Sequence, residues 1–452
     1  MAEATPSAGG GVSARQIFAL AFPALGVLAA MPLYLMLDTA VVGRSLGAFD
    51  LAALAAGAAV HSAVTTQLTF LSYGTTARSS RLFGAGRRSE AVAEGVQATW
   101  IGLAVGLALA SIIWLFGDSI ALFMTGEERT AAATSSWLSV NAVSIPLTLV
   151  IMAGNGWLRG VQDTRRPLIF VLAGLVPGGI SLPLLVDAFG LNGSAVANVL
   201  GMGITALLFL ICLAREHAGG WAPKPKVMWR QLILGRDLIL RSLSFQVAFL
   251  SAAAVAARFG TAPLAAHQIM LQLWNFITLV LDSLAIAAQT LTGAALGRGS
   301  VKVARRLGRQ VTLFSTIFAL ILATVFALGS TLIPRIFTTD EAVLAAMRGP
   351  WWLLLMMIVL GGVVFAIDGV LLGAGDAAFL RTISIGSVVV GFLPAIWLSY
   401  ALDGGLSGIW IGLLAFIAIR LVAVVQRFRS MKWAVTDEDL GSAPESGENR
   451  KE

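Results

Sequence analysis

Three carboxylates lie deep inside stretches that otherwise suit hydrocarbon: Asp38, Asp282 and Asp368. No glutamate is placed so deep by the same reading of the spans. Asp38 stands in LYLMLDTAVVGR, six residues before Arg44, hence roughly 9 Å below the outer end of its helix at about 1.5 Å per residue. A charged aspartate at the centre of a membrane helix costs ~2.5–3.5 kcal/mol on insertion scales, so such a residue faces protein or water and marks function by default. A carboxyl withdrawn from water takes up a proton more readily, so Asp38 is suited to load and release one. The competing reading is structural: Asp38 snorkels, or bonds backbone freed by Pro23 or Pro32. Asn141 and Asn198 fall at similar depth and Asp187 just above, so these four are the candidate proton-coupling residues.

Two polar stripes supply further candidates. Gln268, Gln272, Asn275, Asp282 and Gln289 follow at spacings of 4, 3, 7 and 7, which puts them on one helical face. Ser62, Thr66, Thr69, Tyr73 and Thr76 follow at 4, 3, 4 and 3. Each stripe suits either interhelical hydrogen bonding or a water-facing surface, and their recurrence in two halves favours the surface. The candidate substrate pathway is therefore Thr66, Thr69, Tyr73, Asn155, Gln272, Asn275, Asp282, Gln289 and Asp368.

The elements that must position these groups are membrane helices. The 452 residues are 57% hydrophobic and 12% charged, with a mean hydropathy of +0.85. Soluble domains carry roughly 25% charged residues. Twelve apolar runs are predicted as spans, at 17–43, 51–76, 92–116, 136–158, 167–186, 191–213, 238–257, 264–294, 310–333, 350–373, 380–401 and 405–426. The fold class is an all-α polytopic membrane protein. One cysteine, Cys212, and three scattered histidines offer no disulfide, haem or thiolate metal site, so neither a cofactor nor a metal is expected. The first residues lack a cationic segment followed by a cleavable apolar core, so no signal peptide is read.

An internal repeat runs at an offset of 213 residues: LAALAAGAAVHS at 51 matches LAAHQIMLQLWN at 264, and NGWLRGVQD at 155 matches DGVLLGAGD at 368. Six helices per copy is an even number, so the copies share one orientation, as in transporters built from parallel repeats. The expected organisation is a disordered segment 1–14, a six-helix lobe 15–213, a linker 214–237, a second lobe 238–430 and a disordered tail 431–452. With both termini in the cytoplasm, 26 of the 31 Lys and Arg fall inside; only Arg44, Arg129, Arg258, Arg335 and Arg348 fall outside. The net charge of +7 thus reflects membrane orientation rather than a nucleic-acid partner.

LYLMLDTAVVGRSLGAFDLAAL, NGWLRGVQDTRRPL and AAHQIMLQLWNFITLVLDSLAIAAQTLTGAALG with FAIDGVLLGAGD resemble the multidrug and toxic compound extrusion (MATE) transporters, in their DinF-like branch, over roughly residues 15–430. The resemblance implies a two-lobed, twelve-helix exporter that exchanges organic, often cationic, compounds for H⁺ or Na⁺. It carries the family's first-helix acid onto Asp38 and its sixth-helix polar position onto Asn198. Three departures matter: Leu182 stands where many relatives have an acid before the proline matched by Pro183, Gly361 where the sodium-coupled branch has an acid, and span 7 lacks a glutamate. Proton coupling is favoured over sodium.

The resulting expectation is a monomeric antiporter of the plasma membrane, surrounded by lipid, exporting amphipathic cationic compounds in exchange for protons; it is not an enzyme. Sodium coupling and a lipid-linked precursor flippase are the alternatives within transport. A receptor or scaffold is the alternative outside it. The absence of a nucleotide-binding loop disfavours ATP-driven pumping.

Overall fold

The computed structural model describes residues 13–436, and the two termini expected to be disordered lie mostly outside them. Helices follow one another along the chain: α1 (Ala14–Ser45), α2 (Ala48–Gln67), α3 (Phe70–Gly84), α4 (Arg88–Thr125), α5 (Glu128–Asn141), α6 (Ser144–Gly160), α7 (Arg165–Phe189), α8 (Leu191–Glu216), α9 (Pro225–Arg258), α10 (Thr261–Gly297), α11 (Val301–Leu328), α12 (Ile333–Phe337), α13 (Glu341–Gly373), α14 (Ala377–Gly386), α15 (Leu393–Ala401) and α16 (Gly405–Ser430). Only helices and closed barrels satisfy the backbone within lipid, and these apolar sequences take the helical solution. Eleven helices or continuous helix pairs are long and apolar enough to span, and α5 with α6, bent by 44°, makes a twelfth. The protein is an all-α polytopic membrane protein of two six-helix lobes related by the parallel repeat.

Of the described residues, one compact unit holds Phe22–Phe83 and Arg87–Gly235, and the other holds the rest. The linker expected over 214–237 is irregular only at 217–224, because Pro225 begins α9 at a position where its missing N–H leaves no bond unmade. The tail assigned to disorder is ordered at its start. Trp433 is buried, stacks on Phe428 with ring centroids 5.4 Å apart and donates its indole N–H to Phe428 O.

The repeats break their helices in different places. Between α2 and α3 the hydroxyls of Thr65 and Thr69 donate to His61 O and Thr66 O, each at 2.9 Å, competing with the backbone ladder. Between α5 and α6 Pro146 cannot donate to Ala142 O, and Ser144 Oγ caps Asn141 O at 2.7 Å. Their counterparts α10 and α13 run unbroken for 37 and 33 residues. The C-terminal unit instead breaks between α14 and α15, where a π turn over Ser387–Phe392 precedes Pro394.

Close helix approach fixes α13 against α10. A Cβ at Gly369 would lie 2.2 Å from Ala285 O and one at Gly373 2.3 Å from Gln289 O, so the four-residue glycine spacing is required by backbone contact. The surrounding core holds Trp274, Trp351, Phe392 and Trp410. In the N-terminal unit Trp157, Leu158 and Phe209 have the same place.

Candidate functional site

In the N-terminal unit α1 carries Tyr34 and Asp38 one turn apart, α5 carries Trp137 and Asn141, and α8 carries Ser194 and Asn198. Spacing of four residues puts each pair on one helical face. Two buried hydrogen bonds then join α5 to α8: Asn198 Nδ2 donates to Asn141 Oδ1 at 2.7 Å, and Trp137 Nε1 donates to Ser194 Oγ at 3.2 Å. Asn141 Nδ2 lies 3.1 Å from His61 Nδ1 on α2, within hydrogen-bond distance. Ser194 Oγ in turn donates to Asp38 Oδ2 at 2.8 Å. A histidine and a carboxyl thus terminate the two buried bonds between the same pair of helices.

Asp38 is 3% exposed, and its Oδ1 has no hydrogen-bond partner. Among the described residues no arginine or lysine forms an ion pair with it. The Tyr34 hydroxyl, a turn away, is also buried without a partner. A buried carboxyl held by a single hydroxyl, with an acceptor oxygen to spare, has the inventory to take a proton.

Tyr34 and Asn198 also line a cavity of about 270 Å³ enclosed by α1, α3, α6, α7 and α8. Met31, Met152, Met202 and Leu175 give it an apolar, adaptable wall. Thr69, Tyr73 and Asn155 add polar groups. The acids expected to attract cations do not line it; Arg159 is the charged side chain there, donating to Ser72 Oγ at 3.3 Å. Asn198 therefore belongs both to the cavity wall and to the hydrogen-bonded chain.

The other predicted residues are distributed as follows. Asp187 is exposed near the end of α7 and is not brought to Asp38. Thr66, Gln272 and Asn275 are exposed, Asp282 is half-buried and Gln289 is buried. Both stripes thus pass from exposed at one end to buried at the other, where Thr76 Oγ1 donates to Ser72 O and Gly156 O. Asp368 lies in the C-terminal unit, where Arg241 donates to its Oδ2 at 2.6 Å and Arg420 donates to the same oxygen.

Several participants were not read from the sequence. Ser194 and His61 are small or lone polar residues in apolar runs, where a serine suits packing and a scattered histidine offers no metal site. Trp137 was invisible because tryptophan suits lipid interfaces equally well. Glu94, near the start of the predicted span 92–116 and so not among the deep acids, is nonetheless buried: it is 5% exposed in α4, paired with Arg78 and accepting from Gln231 Nε2. Its position within the first two turns hid it.

The MatE family model matches residues 23–184 and 238–397, one stretch in each half of the repeat. The chain is 30% identical to Protein DETOXIFICATION 44, chloroplastic, of Arabidopsis thaliana, over 98% of this chain and 87% of that one. It is 27% identical to DNA damage-inducible protein F of Escherichia coli (strain K12), over 93% and 94%. In structure it is similar to a MOP superfamily transporter from Pyrococcus furiosus, with a TM-score of 0.83 at 21% identity, covering 93% of this chain and 97% of the other.

Proposed function

The chain belongs to the MatE family of multidrug and toxic compound extrusion transporters, and from that premise we propose that it exports amphipathic, cationic organic compounds in exchange for protons, with Asp38 as the coupling acid. The observation that carries this reading is the unclamped state of Asp38: buried, held by Ser194 alone and a helical turn from a wall residue of the cavity. Deprotonated, the carboxylate attracts a cation; protonated, it releases it. Asn141 and Asn198 tie α5 to α8, and Ser194 on α8 donates to Asp38 and so positions it. Thr69, Tyr73 and Asn155 contact the organic body in the apolar cavity. The distribution of basic residues supports a plasma-membrane orientation with both termini in the cytoplasm.

Asp38→Asn tests the reading in proteoliposomes. Net efflux driven by a pH gradient is expected to stop, while protein yield holds, since an amide is cheaper to bury than a carboxylate. Substrate exchange that needs no net proton flow survives. Near-normal pH-driven efflux per folded molecule sinks Asp38 as the coupling acid, and efflux that follows a Na⁺ gradient at constant pH sinks proton coupling itself.

A further inference from the structure

The C-terminal unit holds a polar cluster that this reading does not use. Arg241 on α9 and Arg420 on α16 both donate through Nη2 to one oxygen of Asp368 on α13, Oδ2. Among the described residues neither guanidinium makes any other hydrogen bond. The Nε of each arginine is buried without an acceptor, and so is Asp368 Oδ1 without a donor. Two guanidinium charges against one carboxylate leave one positive charge among apolar helices, and arginine does not escape by losing its proton. Arg420 is 2% exposed and Arg241 is partly exposed, so the cluster is both desolvated and reachable.

Aromatic rings hold the guanidinium faces. The Phe245 ring lies 4.9 Å from Arg420 and 5.5 Å from Arg241, and the Phe416 ring 5.6 Å from Arg420. Faces so covered leave the donor edges as the only place where an acceptor fits.

The repeat gives the cluster its meaning. The offset of 213 puts Asp368 at the place of Asn155 and Arg241 at that of Leu28. LNG at 191 and LSG at 406 set the register of the last helix, so Arg420 corresponds to Thr205 and Phe416 to Gly201. Leu28, Asn155, Gly201 and Thr205 all line the N-terminal cavity. The C-terminal unit has charged and aromatic groups at the places that form a ligand cavity in the other.

We propose that the Arg241–Arg420–Asp368 cluster is an anion site for a carboxylate-bearing small molecule. Asp368 already shows that these guanidiniums donate to a carboxylate. A single excess positive charge matches a monocarboxylate, whereas a doubly charged phosphate overcompensates it, and the phenylalanine walls suit an apolar body. The site is independent of Asp38, and binding alone reports on it.

Benzoate serves as the probe, with benzylammonium and inorganic phosphate as controls, in calorimetric titration of the full chain in detergent. Benzoate binds saturably, and the two controls bind far more weakly. Arg241→Gln and Arg420→Gln abolish benzoate binding. Asp368→Asn removes the internal competitor and strengthens binding by about tenfold or more, the size of one charge-assisted hydrogen bond. Should an arginine variant fail to fold, wild type and Asp368→Asn decide the matter. Equal binding of benzoate and benzylammonium, tighter binding of phosphate, or no gain in Asp368→Asn overturns the proposal. Loss of binding in Arg159→Gln instead places the anion in the N-terminal cavity and overturns it equally.

Discussion

Ser194 Oγ donates a 2.8 Å hydrogen bond to Asp38 Oδ2 across 156 positions of sequence, and it is the donor this buried carboxyl has. Ser194→Ala is expected to cost about 1.5–3 kcal/mol of stability, the range for a bond to a charged group, and to lower coupled efflux per folded molecule several-fold. Ser194→Thr keeps the hydroxyl and restores efflux. A merely structural serine predicts that efflux per folded molecule is unchanged in both.

Asn141 bridges α8 and α2 through its two ends. Asn141→Leu leaves the Asn198 amide and the His61 ring nitrogen buried without partners, at about 1–3 kcal/mol for each orphaned group. Thermal unfolding in detergent measures it; a variant within a degree of wild type shows that the α5–α8 tie is not a stabilising contact.

Thr69 lines the N-terminal cavity beside Tyr73. Thr69→Trp puts an indole into a space of about 270 Å³ and is expected to reduce export tenfold or more, a loss of about 1.4 kcal/mol in binding, while membrane insertion persists. Transport at the wild-type rate removes this cavity from the substrate path.

Gly369 leaves no room for a side chain, since a Cβ would lie 2.2 Å from Ala285 O. Gly369→Ala separates α13 from α10 and is expected to destabilise by about 1–3 kcal/mol. Gly203, with nothing within 4 Å of a Cβ, is the control, and Gly203→Ala is neutral. Comparable unfolding temperatures for the two variants refute the packing argument.

Cys212 is the single cysteine and is buried, so introduced thiols report on their own surroundings. In intact cells, Glu127→Cys between α4 and α5 reacts with membrane-impermeant reagents, and Gly220→Cys between α8 and α9 is protected. The opposite pattern reverses the orientation drawn from the basic residues.

Twelve spans, two six-helix halves and the family were legible in the sequence, because a bilayer demands about 20 apolar residues per crossing whatever the helix packs against. Asp38 was legible for the same reason: a carboxylate inside such a run is conspicuous wherever its partner lies. The partners were not, since Asp38 meets Ser194, and Asn141 meets His61, only after helices far apart in the chain are packed. Periodicity gave the faces of the polar stripes but not their surroundings, and only packing made one end of each exposed and the other buried. Asp38 and Asp368 are alike in the sequence, each a lone acid in an apolar span. Tertiary structure gave one of them a serine and the other two arginines, because the charge beside a buried group depends on which helices meet there.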